Sequence, residues 1–280
     1  MVKRRFPQME LLLPSKRTDR IAEQSRRLRN EYHSEKNIVQ KKDKTVHIVH
    51  LYPAQMNVYG DMGNVITLRY RLAQRGYDCR YTAVHSAREL VSLSPDIIIG
   101  GGGQDSNQVK VHKDVLQHKK IMQHLHDSGI VGLMVCGMYQ LLGNSLALVD
   151  AQRKDGAQVF NIETTAGEKR LIGNIVSKTN YGELVGFENH SGMTQLSANA
   201  VALGSVAEEM GNNGYDLTEG VESNNMFGTY IHGPVLAKSP KFADELLLRA
   251  LHLRYGITEL EPIDDFIELQ AAKKAASRPR

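Results

Sequence analysis

Cys136 and His232 are the two residues whose types and settings best fit joint chemistry. Cys136 closes a short apolar run, Ile130 to Val135, with the length and β-branched content of a buried strand. Gly137 follows it, then Met138, Tyr139, Leu141 and Leu142 at helix-like spacing. Strand, tight turn and helix make a nucleophile elbow. The turn lifts one side chain clear of the sheet, and the helix start supplies free N–H groups and partial positive charge. Both effects favour a thiolate, the reactive form of cysteine. A glycine after the nucleophile lets a substrate oxygen come close to the backbone. The same fourteen residues equally describe a buried core cysteine at a strand end.

A cysteine nucleophile needs a base, and the chain has 11 histidines. His232 follows the strand-like MFGTYI and precedes Gly233-Pro234, which places it at a strand's C-terminal end, as Cys136 is. His190, in GFENHSG, is the rival, with a turn or supporting role as its alternative. His112, His118, His124 and His126 lie on a Lys-rich helix, off metal-ligand spacing, and read as surface residues; no metal site is expected. The run Gly100–Gly103 lacks the Gly-Lys-Ser/Thr ending of a P-loop and the dinucleotide-binding spacing. Its better use is close backbone approach, with one N–H from this loop and that of Gly137 holding a developing oxyanion. A plain turn is the other reading.

These residues need elements to carry them. Val46–Val49, Tyr77–Val84, Asp96–Ile99 and Ile130–Val135 read as strands, with a helix on Val65, Leu68 and Leu72 that stops at Gly76. Asp61 or Asn64 is placed to cap that helix. A polar helix is expected from about Asn107 to Asp127. Alternating strands and helices predict an α/β fold with a mostly parallel sheet covered on both faces, whose ligands bind at the strands' carboxyl ends. Val159–Glu163, Gly173–Ser177, Leu184–Asn189 and Ala200–Ser205 read as short strands of an antiparallel extension. Phe227–Ile231 is a further strand, and Phe242–Tyr255 and Asp264–Ala276 are terminal helices.

Composition narrows the class. Hydrophobic residues make up 41% and charged residues 24% of 280, ordinary for a globular protein. Two cysteines, Cys79 and Cys136, offer no disulfide framework and suit a reducing cytoplasm. No apolar run reaches the roughly 18–20 residues of a bilayer span, and no secretory leader is expected from the basic start. Residues 1–44 hold 13 Lys/Arg against 6 Asp/Glu, while the rest of the chain is slightly acidic. The expected domains are a flexible basic extension at 1–44, an α/β domain at 45–255, and a C-terminal helix and tail at 256–280. The body has no basic stripe with interleaved aromatics, so a nucleic-acid partner is not expected.

VCGMYQLLG, GTYIHGP, GFENHSG and MNVYGDMGN together resemble the class I glutamine amidotransferases of the cobyric-acid-synthase (CobB/CobQ) type, over about Val46 to Tyr255. More narrowly, they are similar to the GatD glutaminase subunits of lipid II isoglutaminyl synthase. The resemblance implies the flavodoxin-like amidotransferase fold, and it implies roles by position. Cys136 would attack the side-chain amide of L-glutamine, His232 would serve as its base, and Arg170, in EKRLIGN, would grip the α-carboxylate. Gly102, Gly103 and Gly137 would form the oxyanion hole. A partner is implied: an ATP- and magnesium-dependent, Mur-ligase-like (MurT-like) synthetase in a heterodimer. It would use the ammonia to amidate the D-glutamate α-carboxylate of lipid II to D-isoglutamine in peptidoglycan synthesis. No cofactor is expected in this chain. Its expected place is the cytoplasm, at the inner membrane face where lipid II would bring it. Another acceptor, such as a corrinoid, or a non-catalytic binding protein are the alternatives.

Two positions depart from the family pattern. Pro234 stands where many class I enzymes carry a glutamate two residues after the histidine, so the orienting carboxylate is missing from its usual place, and the expectation is that a partner supplies it. Met193 stands where relatives carry arginine in H-x-G-R-T.

Overall fold

Three strands of the main sheet are buried along almost their whole length, IIIG and VGLMV as apolar runs and TVHIVHL with two buried histidines, which is what a parallel sheet with both faces covered requires. The computed structural model describes residues 44–147 and 152–279. The expected extension at 1–44 lies outside the described residues, except Lys44. In chain order the first elements are β1 (Thr45–Leu51), α1 (Met62–Gln74), β2 (Asp78–Val84), β3 (Ile97–Gly100), α2 (Asp105–Gln117), α3 (Lys119–Asp127), β4 (Val131–Val135) and α4 (Gly137–Leu141). They are followed by β5 (Ser145–Ala147), β6 (Arg153–Asp155), β7 (Ile162–Thr179), β8 (Gly182–Leu196), β9 (Gly204–Ser205), β10 (Thr218–Glu219), β11 (Val221–Ser223) and β12 (Met226–Thr229). Helices α5 (Pro240–Tyr255) and α6 (Phe266–Ala276) close the chain.

The main sheet has the order β11-β12-β4-β3-β1-β2, parallel except for β11. Its register sets Leu51 beside Gly100, Gly100 beside Met134, and Val135 beside Thr229. Four strand ends are therefore level along one edge. The chain leaving each of them carries a candidate group: the loop to Asp61, Gly101–Gly103, Cys136, and His232. Buried Val65, Leu68 and Leu72 hold α1 on this sheet, and Gly76 ends the turn after it with φ +75°.

The second sheet, β10-β9-β7-β5-β6 with β8 paired to β7, is the expected antiparallel extension, but its strands are longer than expected. The separate strands expected at 159–163, 173–177 and 184–189 are two arms of one hairpin, β7 and β8, with a register shift between Ala166 and Leu171. The stretch between them in β7, Gly167-Glu168-Lys169-Arg170, has no alternation to mark it. It falls within that register shift, outside the paired ladder, and buries no apolar face. The expected strand at 200–205 shrinks to β9.

Two other expectations change. The polar helix breaks into α2 and α3 at His118, whose φ of −111° is not helical and whose Nδ1 lies 2.9 Å from the Asp114 carbonyl oxygen. No glycine or proline marks that break. On these helices only His124 is exposed: His112 is buried with Nε2 2.7 Å from the Asp155 carbonyl, and His118 and His126 are half-buried. Neither expected cap of α1 operates. Asp61 occupies the N-cap position without capping, and the Asn64 carboxamide oxygen accepts the Leu236 N–H.

Candidate active site

The elbow is formed as strand, turn and helix. Cys136 has φ +51° and ψ −104°, a conformation costly for any residue with a Cβ and typical of a nucleophile forced out of the sheet. Two backbone bonds hold it there. Its N–H donates to the Thr229 carbonyl of β12 at 2.8 Å, and its carbonyl accepts from Gln140 N–H at 3.0 Å. Cys136 is 9% exposed, whereas His232 is fully buried.

The histidine comes to the cysteine by a route the sequence does not spell out. After β12 the chain crosses to the hairpin, where His232 and Phe187 exchange both backbone hydrogen bonds. This brings the imidazole over the glycine loop. A Cβ on Gly102 would sit 2.8 Å from His232 Cε1, 3.2 Å from Cys136 Cβ and 3.5 Å from His232 Nε2, so only glycine leaves room there, and all three residues share one small space. His232 Nε2 has no hydrogen-bond partner of its own that would draw it from the thiol. Burial works to lower the His232 pKa, but the negative charge available at Cys136 and the contact with Asp61 outweigh it and push the imidazole up to about 10. The imidazole is thus favoured in its protonated form.

A carboxylate does stand on His232. Asp61 Oδ1 lies 3.3 Å from His232 Nδ1, and both side chains are fully buried. It does not stand at the usual place, where the chain has Pro234: Asp61 is 171 residues away in sequence, at the end of the loop after β1, and is carried to the histidine by the register of β1, β3 and β4. In the sequence Asp61, in YGDMGN, reads only as a helix cap.

The glycines divide their labour. Gly102 N–H is engaged by Asp61 Oδ2 at 2.7 Å, so it is not free for a substrate oxygen. Gly137 heads its helix, where its N–H has no intrahelical acceptor, and Gly103 N is 3.5 Å from where a Cβ on Gly137 would be. Gly103 and Gly137 are therefore the neighbouring backbone donors, and Gly102 supplies space. Helix α4 has only five residues, so its macrodipole adds little beyond these N–H groups.

Arg170 is exposed on β7. Its Nε donates to Asn189 Oδ1 at 2.5 Å, and Asn189 Nδ2 donates to Tyr59 OH at 2.7 Å. The Tyr59 ring lies 4.5 Å from the His232 ring, so Arg170 is joined to the site through two side chains rather than placed within it. His190 is engaged elsewhere: it is buried against Tyr230, rings stacked at 3.6 Å, with Nδ1 2.8 Å from the Gly192 carbonyl oxygen. Met193 packs on Gly167. Sequence reasoning missed Gln108 and Gln140, buried and bonded to each other at 2.7 Å, with Gln140 also donating to Tyr230 OH at 3.0 Å. Gln108 Cδ is 3.6 Å from the same Gly137 position, so these amides wall the space beside the elbow. Among the described residues no group of His, Cys, Asp and Glu is arranged to hold a metal ion, and no helix is long and apolar enough to cross a membrane.

Comparison with known proteins agrees with this geometry. Residues 47–240 match the CobB/CobQ-like glutamine amidotransferase domain. The chain is 34% identical over 233 residues to the GatD subunit of the glutamine-hydrolyzing lipid II isoglutaminyl synthase of Staphylococcus aureus (strain N315), covering 82% of this chain and 95% of that protein. It is also 34% identical to the corresponding subunit of Streptococcus pneumoniae (strain ATCC BAA-255 / R6), covering 82% of this chain and 90% of that one. A crystal structure of a glutamine amidotransferase shares the fold, with a TM-score of 0.51 at 15% identity over 72% of this chain and 98% of that one.

Proposed function

Because the chain belongs to the CobB/CobQ-like glutamine amidotransferase family, we propose that it is the glutaminase subunit of a lipid II isoglutaminyl synthase and works through a Cys136 thioester. The observation that carries the mechanism is the shared space of Cys136, His232 and Gly102 at one sheet edge. The Cys136 thiolate attacks the side-chain amide carbon of L-glutamine, and the oxygen that gains charge is held by the N–H groups of Gly103 and Gly137. The His232 imidazolium gives its proton to the departing nitrogen, and ammonia leaves. His232 then takes a proton from water, which attacks the thioester; glutamate leaves and the thiolate returns. Arg170, oriented by Asn189, pairs with the substrate α-carboxylate, a task suited to a planar guanidinium.

Ammonia is useful only if it reaches an acceptor before it is lost to solvent, so the reading includes a heterodimer with a Mur-ligase-like synthetase. That partner, not this chain, would bind ATP and magnesium, activate the D-glutamate α-carboxylate of lipid II and form D-isoglutamine at the inner face of the membrane. Support for this acceptor is the similarity to two GatD subunits along nearly their whole length. The match to the probable cobyric acid synthase of Methanococcus maripaludis (strain C7 / ATCC BAA-1331) covers half of this chain and 31% of that protein.

The test is ammonia release from glutamine by the native protein and by Cys136→Ala. Release by the native protein and none above background by the variant is expected; equal rates would end the reading. Co-purification with a Mur-ligase-like protein, and incorporation of amide nitrogen from labelled glutamine into lipid II by the pair, would establish the acceptor.

A further inference from the structure

The N-terminal end of α5, one face of α6 and the start of β8 border a cavity of about 350 Å³. We propose that this cavity binds a phosphate monoester, its head group on Lys238, Ser239, Lys241 and Lys273 and its organic body on the apolar wall. Those four residues line the cavity, and the exposed Glu183 is the one acidic residue beside them. Ser239 is the residue that points to a ligand. It is 3% exposed, it lines the cavity, and its hydroxyl has no hydrogen-bond partner. It stands at the N-cap of α5, where a serine ordinarily bonds one of the first N–H groups, yet it makes no such bond. A buried hydroxyl left unpaired costs stability unless something meets it.

Backbone and charge act in the same direction. The Ala243 N–H is spent on the Ser239 carbonyl at 3.0 Å and Pro240 has none, so the donors left at this helix end are those of Lys241 and Phe242, which have no acceptor within the helix. With 16 residues, α5 is long enough for its positive end to favour an anion. Among the described residues no carboxylate lies within ion-pair distance of Lys238, Lys241 or Lys273. Lys238 is half-buried and donates to the Gly233 carbonyl, and burial lowers its pKa with no charge to offset it. The number of donors selects the head group. A carboxylate offers two oxygens, whereas three ammonium groups, a hydroxyl and two backbone N–H groups suit the three terminal oxygens and the near-double charge of a phosphate monoester. Val185, Leu269 and Ala272 supply the apolar wall for its body.

The full chain is titrated calorimetrically with phenyl phosphate at constant ionic strength, and with benzoate as the carboxylate on the same body. Phenyl phosphate is expected to bind with a Kd of about 1 mM or tighter, and benzoate at least about fivefold more weakly. Lys241→Gln with Lys273→Gln should weaken phenyl phosphate binding about tenfold, and Ser239→Ala about fivefold. Without ligand, Ser239→Ala should unfold at no lower temperature than the parent, because its hydroxyl has no partner to lose. No binding of phenyl phosphate at about 10 mM, equal affinity in the parent and the double variant, or benzoate bound as tightly would overturn the proposal. Should the variants fail to fold, amide NMR of the native chain decides. Shifts at Lys241 and Phe242 with phenyl phosphate are expected, and shifts elsewhere with none there would overturn it. Sedimentation with phosphatidic acid vesicles separates the two sources of such a phosphate. Pelleting of the parent but not of the double variant would assign it to a lipid headgroup, and no pelleting to a soluble ester. None of these readouts uses glutamine, so they stand apart from the Cys136→Ala test of the glutaminase reading.

Discussion

At the scale of single residues, the site is a chain of contacts with few exposed members. Arg170, the proposed carboxylate-binding residue, lies at its outer end, and its guanidinium is held by one asparagine that is itself held by Tyr59. Asn189→Ala should therefore act on binding more than on chemistry. Loss of a bond worth about 1 kcal/mol raises KM for glutamine by about fivefold, with kcat within about twofold. Steady-state kinetics check this, and a fall in kcat with KM unchanged would place Asn189 with the base instead. His190 shows the limit of residue type as a guide. It sits in a motif as suggestive as that of His232, yet the hairpin turns it onto Tyr230.

At the scale of elements, the site depends on β8 and β12 meeting correctly. Gly186 of β8 lies so close to the chain after β12 that a Cβ there would be 2.1 Å from the His232 carbonyl oxygen. Gly186→Ala must push that backbone aside. A cost of about 1–3 kcal/mol is expected, lowering Tm by about 3–10 °C, together with a lower kcat because His232 moves. Calorimetry and kinetics together test it. Behind the same strand, Glu219 at the end of β10 accepts from Thr229 Oγ1 at 2.9 Å and from Tyr230 N–H at 2.7 Å, while Oε2 has no partner. Burial, opposed by those two bonds and reinforced by the Glu188 charge, pushes its carboxyl up to about 7. A carboxyl raised on folding favours the folded state when protonated. Its contribution is neutral below the ordinary value near 4.5, and the penalty grows from there until it is complete above about 7. Glu219→Gln should then raise Tm relative to the parent at pH 8 and by much less at pH 5. A gain equal at both pH values would show that charge is not the cause.

At the scale of the whole molecule, a buried ion cluster ties the C-terminal segment to the catalytic body. Arg71 of α1 reaches Asp244 of α5 at 2.6 Å and Asp265, just before α6, at 2.5 Å, and Arg75 adds Asp244 and the Glu261 carbonyl, both at 2.7 Å. Removing one carboxylate leaves the buried guanidinium less compensated. Asp265→Ala is expected to cost about 1.5–3 kcal/mol, or about 3–12 °C in Tm, with glutaminase kcat unchanged. Thermal unfolding with parallel assays checks this, and unchanged Tm would show the cluster to be dispensable. Helix α6 has no buried residue, so its place is kept largely by these polar ties.

The sequence by itself determined the parallel sheet, the elbow at Cys136 and the candidacy of His232. Each depends on a local pattern, a continuous apolar run or a strand end followed by glycine, that survives without knowledge of neighbours. It also carried the family resemblance, in several short motifs in order. Only the tertiary structure decided which histidine meets the thiol, that Gly102 N–H is already taken, and that Asp61 stands behind the base. Those contacts join residues 41, 96 and 171 positions apart. Their proximity is set by strand register and a hairpin bridge, and neither leaves a periodic mark in the chain. The break at His118 and the single long β7–β8 hairpin were hidden for the same reason: pairing and packing between distant segments outweigh local propensity there.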